Sequence, residues 1–119
     1  MNTTQSITSM KPKDFFAQDI VKAKFSELMG KNAASFITSV LQIVNSNDML
    51  KDASSESIYQ SAMVAATLNL PVNNNLGFAY IVPYNDRTKG KVAQFQLGYK
   101  GFIQLAQRSG QFKRISVTH

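Results

Sequence analysis

At 119 residues, 44% hydrophobic and 17% charged, the chain is long enough for one domain with a modest core, and its composition excludes an intrinsically disordered protein. It contains no cysteine, which excludes disulfides and thiolate metal sites. The net charge of +6 is unevenly placed. Residues 1–86 hold six Lys and Arg against seven Asp and Glu, a net of −1, whereas residues 87–119 hold seven Lys and Arg and no acid. A basic surface confined to one part of a fold is the electrostatic footprint of a polyanion partner.

In chain order, residues 1–12 are rich in Thr, Ser, Asn and Gln and read as a flexible arm. A first helix is predicted from Lys13 or Asp14 to about Gly30, with Phe16, Ile20, Val21, Phe25, Leu28 and Met29 on its apolar face. Gly30 stops it, and Asn32 is placed to cap a second helix. There Ala33, Phe36, Ile37, Val40, Leu41 and Val44 recur at helical spacing, and Asn45 to Asp48 ends the run. A third helix starts at Asp52, Ser54 or Ser55 and runs to about Asn69, with Ile58, Ala62, Ala65 and Ala66 on its buried side. Met29, Met49 and Met63 read as core filler. Pro71 cannot continue the helix, and Asn73-Asn74-Asn75 with Gly77 makes a turn.

Phe78 to Val82 then reads as a strand, with Phe78, Tyr80, Val82 and Tyr84 on one face and Ala79 and Ile81 on the other. Val92 to Leu97 alternates again, setting Ala93, Phe95 and Leu97 against Gln94 and Gln96. The seven residues between, Asn85 to Lys91, predict a hairpin with a long, mobile basic tip. Gly98 to Ser109 is predicted helical, with an apolar stripe at Tyr99, Phe102, Ile103 and Ala106 and a cationic ridge at Lys100, Gln104 and Arg108. Gly110 suits the position after the helix. Lys113 to Thr118 alternates as a third strand. The fold class expected is α+β: three helices, a β-hairpin, an amphipathic helix and a further strand.

The chemistry of catalysis is missing from this pattern. His119 is the single histidine and ends the sequence, where nothing orients it as a general base. Gly98-Tyr99-Lys100-Gly101 lacks the spacing of a phosphate loop, so ATP use is not supported. Asp48, Asp52 and Glu56 would form an acidic stripe on a helix, but cap residues and surface charge account for them better than a metal site does. No cofactor and no metal are expected. No apolar run approaches the ~20 residues of a membrane helix, and the first ten residues hold no apolar signal core. A soluble, cytoplasmic protein without a membrane partner is expected. Single-strand binders stack bases on exposed aromatics. Phe95, Tyr99 and Phe102 lie on apolar stripes and are assigned to the core, so Tyr84, beside the basic tip, is the stacking candidate.

Several ordered stretches resemble the RecT family of phage recombinases: Ser61-Ala62-Met63, Leu68 to Val72, Leu76 to Tyr84, and Gln94 to Gln111, which contains Leu97-Gly98-Tyr99-Lys100-Gly101-Phe102. The resemblance covers roughly residues 61–117. It implies ATP-independent binding of single-stranded DNA and annealing of complementary strands, by rings or filaments of the protein beside a 5′–3′ exonuclease partner. Family members are about twice this long, so residues 13–119 are expected to be the front half of an annealing domain. The candidate DNA contacts are Arg87, Lys89, Lys91, Lys100, Gln104, Arg108, Lys113 and Arg114. Two other readings stand beside this one. In an assembly or adaptor module the first three helices would carry the function as a protein interface, and in a non-specific RNA-binding domain the basic half would meet RNA.

Overall fold

A computed structural model describes residues 10–73 and 75–110. The architecture is α+β, as expected: helices first, then a two-stranded antiparallel hairpin, then a further helix. The helices are α1 (Pro12–Phe16), α2 (Asp19–Met29), α3 (Ala33–Asn45), α4 (Asp48–Lys51), α5 (Ser55–Thr67) and α6 (Tyr99–Ser109), and the strands are β1 (Ala79–Asp86) and β2 (Gly90–Leu97). The strand expected at 113–118, and residues 1–9 of the expected arm, lie outside the described residues.

The first helix is the clearest departure. The sequence predicts one helix from residue 13 to Gly30, and the structure breaks it at Ala17-Gln18, where Gln18 is extended at φ −65°, ψ 140°. The break rephases the chain. Phe16, Val21 and Phe25 become buried, while Ile20 and Leu28, expected on the same face, point outward at 68% and 47% exposure. An aromatic cluster drives the choice. Phe25 lies 5.8 Å from Phe16, 5.6 Å from Phe36 and 5.8 Å, edge to face, from Tyr59. Pairs at such distances add about 0.5–1.5 kcal/mol beyond their area burial.

Gly30 ends α2 in the left-handed region at φ 59°, as its position suggested. Asn32 does not cap α3. Residues 30–32 form a single 3₁₀ turn that runs into the helix, and the Asn32 carbonyl instead accepts from the Ser35 hydroxyl. The periodic positions of α3 and α5 behave as read: Ala33, Phe36, Ile37, Val40 and Val44 are buried, and so are Ile58, Ala62, Ala65 and Ala66. Asn47 caps the short α4 by accepting from the amides of Met49 and Leu50, a helix the sequence pattern did not suggest. Ser54 caps α5, which stops at Thr67 rather than Asn69; Asn69 itself takes φ 55°. Met29 and Met63 pack against the core, but Met49 is 56% exposed and fills nothing.

The hairpin joins this core through one face. Ala79, Ile81 and Ala93 are buried in the same cluster as the alanines of α5, and their small size lets helix and sheet approach closely. The start of α5 also occupies part of β2's outer edge: the Ser54 amide donates to the Lys91 carbonyl, and the Ala93 amide donates to the Ser57 hydroxyl. These bonds satisfy edge groups that would otherwise be open.

Candidate functional site

The basic tip is shorter than expected. The strands extend to the pairs Asn85 opposite Lys91 and Asp86 opposite Gly90, so only Arg87, Thr88 and Lys89 form the turn. Two local interactions close it. An Asp86 carboxylate oxygen accepts from the amides of Thr88, at 2.8 Å, and Lys89, at 2.9 Å. Gly90 takes φ 80°, the left-handed residue that a three-residue hairpin loop requires. The tip is thus a tight turn in place of the long mobile loop predicted, and it presents Arg87 and Lys89 outward.

The same bonds hold the Asp86 carboxyl below the usual carboxylate range, the Lys89 amide contributing most and the Thr88 amide next. A lowered pKa means stability that is present above the unfolded value near 3.8 and lost as pH falls through the folded value. Acidification below that value should therefore loosen the tip. The Thr88 and Lys89 amide resonances should move in this window in the wild-type chain and stay still in Asp86→Asn, whose amide oxygen keeps an acceptor without a titratable proton.

The face of the hairpin away from the core carries Tyr80, Val82, Tyr84, Gln94 and Gln96, in the cross-strand pairs Tyr80–Gln96 and Val82–Gln94, with Tyr84 opposite Val92. Tyr84 is 52% exposed, as its candidacy required. Between this face and the first turns of α5 runs a groove of about 590 Å³, whose walls include Gln60, Tyr84, Gln94 and Lys89. Glu56 and Asp86 line it too, so its field is not uniformly positive.

Lys100 stands at the opposite end of the ribbon from Arg87 and Lys89. Seven residue steps separate Ala79–Leu97 from Asp86–Gly90, about 24 Å at ~3.4 Å per step. The Lys100 stem and the Tyr80 hydroxyl both come within 3.8 Å of where a Cβ on Gly77 would sit, which places Lys100 beside the outer face. The cations therefore bracket a face of aromatics and amides rather than forming one continuous patch.

Lys91 and Arg108 have partners of their own. Lys91 lies 3.3 Å from Asp52, an exposed pair of the kind worth only about 0–1 kcal/mol. The Arg108 guanidinium donates to the carbonyls of Leu68, at 2.6 Å, and Asn69, at 3.1 Å, and so closes the C-terminal end of α5. Gln104 is half-buried on α6. Lys113 and Arg114 lie outside the described residues. The acidic stripe is dispersed, with Asp48 beside Lys51, Asp52 beside Lys91 and Glu56 in the first turn of α5. Among the described residues no group of His, Cys, Asp and Glu could hold a metal ion, and no helix is long and apolar enough to cross a membrane.

The orientation of α6 also corrects the sequence reading. Of its expected stripe, Ala106 is buried and Ile103 half-buried, but Tyr99 is 78% and Phe102 49% exposed. Gly101, Leu105 and Arg108 face the body instead. The cause is the crossing of α6 over the start of β1. The Gly98 amide donates to the Phe78 carbonyl and the Lys100 amide to the Gly77 carbonyl. A Cβ at Gly98 would overlap the Gly77 carbonyl oxygen, and one at Gly101 the Phe78 carbonyl oxygen. Only glycine permits that approach. The signal in the sequence was the glycine inside a helical pattern.

Comparison with known proteins places most of this chain in one group. The RecT family model matches residues 34–118, which includes the hairpin and α6. The chain is 50% identical over 104 residues to the uncharacterized protein YqaK of Bacillus subtilis (strain 168), a match covering 87% of this chain and 35% of that protein. It is 39% identical over 62 residues to Protein RecT of Escherichia coli (strain K12), covering 49% of this chain and 23% of that one. The chain thus spans about a third or less of the length of these relatives.

Proposed function

This chain belongs to the RecT family, and we propose that it binds single-stranded DNA without ATP and contributes to annealing complementary strands in phage-type recombination. The observation that supports this reading best is the outer face of the hairpin, where Tyr80, Tyr84, Gln94 and Gln96 lie between Lys100 at one end and Arg87 and Lys89 at the other. Two strands to be annealed repel through their phosphates, and cations along each backbone lower that cost. Base edges must stay free for pairing to be tested, so phosphate contacts without base readout suit the task. Glu56, in the wall of the groove beside α5, disfavours phosphate there.

On this reading the chain works by binding, not by catalysis, in the host cytoplasm, and residues 13–119 act as the front part of a longer annealing domain. One protomer holds only a few phosphates, so copies arrayed in a ring or filament gain by effective concentration. The exposed Ile20 and Leu28, eight positions apart on α2, are suited to such an array. A 5′–3′ exonuclease would supply the single strands.

Fluorescence anisotropy with a labelled single-stranded oligonucleotide at several salt concentrations tests the proposal. With Arg87, Lys89 and Lys100 each neutralising one phosphate, the log–log salt slope should be near ~−2, and Lys100→Gln should flatten it by about 0.7. Affinity independent of salt, or no affinity, would leave protein assembly as the better reading.

A further inference from the structure

We propose that α6 carries the base-stacking platform: Tyr99 and Phe102 take up bases of a single strand whose phosphate is met by Lys100, while Arg108 positions the helix and touches no phosphate. The inference rests on the single-strand-binding reading above and adds to it the residues that would hold the bases.

The observations are those of exposure and chemistry together. Tyr99 and Phe102 are 78% and 49% exposed. They stand three residues apart on one helix, so their rings neighbour one another, with Cβ atoms about 5–6 Å apart. Within α6 Leu105 packs against the core, while Ile103, half-buried, and Ala106, buried, flank the two rings on their own stripe. The two rings are what the helix leaves outside.

Charge selects the occupant. The residues of α6 include Lys100 and Arg108 and no acid, and no acid occurs from residue 87 to residue 119. A partner that offers flat π-faces and negative charge in alternation is a single-stranded nucleic acid. Lys100 lies between the two aromatics in sequence and reaches toward Tyr80, so strand backbone held there can pass on to the outer face of the hairpin. Arg108 is committed to the carbonyls of Leu68 and Asn69 on the opposite side of its helix from the rings. Its place is to hold the C-terminal end of α6 in the rotation that the Gly98 and Gly101 crossing sets, with Tyr99 and Phe102 outward.

The test compares two strands of equal length, one mixed-base and one with abasic sites throughout, for the chain, for Tyr99→Gln/Phe102→Gln and for Tyr84→Gln. The unsubstituted chain should prefer the base-bearing strand by about five- to hundredfold per stacked base. The α6 double variant should lose most of that preference, keep its salt slope and keep its circular dichroism, whereas Phe102→Tyr should retain the preference. Arg108→Gln should leave the salt slope unchanged. A base preference that survives the double variant overturns the proposal. If it is lost in Tyr84→Gln instead, the platform is on the hairpin. If it survives while the sedimentation mass falls, the α6 face joins copies of the chain. Both results leave single-strand binding standing. Failure of the unsubstituted chain to bind either strand removes the single-strand reading itself.

Discussion

Phe25→Ala is expected to unfold the chain or bring it to the edge of unfolding. Phe25 is fully buried, and three rings, those of Phe16, Phe36 and Tyr59, close on it within 5.8 Å. These come from α1, α3 and α5, so the cavity left by alanine opens at the point where three helices meet. No single helix can shift to fill it without leaving another uncovered. Phe→Ala at such a site costs about 3–5 kcal/mol, against a total stability of roughly 5–15 kcal/mol for a domain. Thermal unfolding followed by circular dichroism should show a midpoint lower by about 10 °C or more, given about 4–8 °C per kcal/mol at this size. A drop of only a few degrees would mean that the helices are not mutually locked by this ring.

Gly101→Ala should act locally, where Phe25→Ala acts globally. The new methyl would overlap the Phe78 carbonyl oxygen and lie 3.0 Å from Leu97 Cδ1. A backbone oxygen cannot rotate away, so either α6 lifts or the start of β1 moves. Overpacking of this kind costs about 1–3 kcal/mol, while alanine gains about 0.8–1.0 kcal/mol in helix propensity. The two oppose each other, and the steric term is the larger because the obstacle is main chain. If α6 lifts, Arg108 also loses its carbonyl partners. Amide hydrogen exchange should therefore rise throughout α6 and at Gly77–Phe78, with the amides around Phe25 still protected. A variant with α6 protected as before would show that the crossing has room for a side chain.

The contrast between the two sites explains what the sequence could and could not tell. The stripes of α3 and α5 are repeated often enough, and lie deep enough, that periodicity and burial agree. The alternation of Ala79 and Ile81 against Tyr80 and Val82 is likewise a local fact of strand geometry. Residues 13–29 failed for the opposite reason. Phe16, Ile20, Val21 and Phe25 fit one continuous helical face, and only the rings of Phe36 and Tyr59, distant in sequence, favour a break at Gln18. In α6 a good amphipathic pattern lost to a crossing contact, because the rotation of a helix with a glycine face is set by what that glycine touches.

The candidate interface was legible in the same proportion. Tyr84 and the basic tip follow from local composition, although the tip's tightness depends on one carboxylate that caps its own turn. The commitment of Arg108 to Leu68 and Asn69 was not legible. A guanidinium on a polar helix ridge looks the same in sequence whether it meets phosphate or a carbonyl forty residues away. Nor was the distance between Lys100 and the tip, which only the register of the strands supplies.

The Arg108 contact has a mechanical consequence. Its bonds to Leu68 and Asn69 join points 40 and 39 residues apart, and everything from the end of α5 through the hairpin lies within that span. The pair works like a drawstring at the mouth of a loop. Fraying of the end of α5 and lifting of α6 are therefore coupled, since either one breaks the same two bonds.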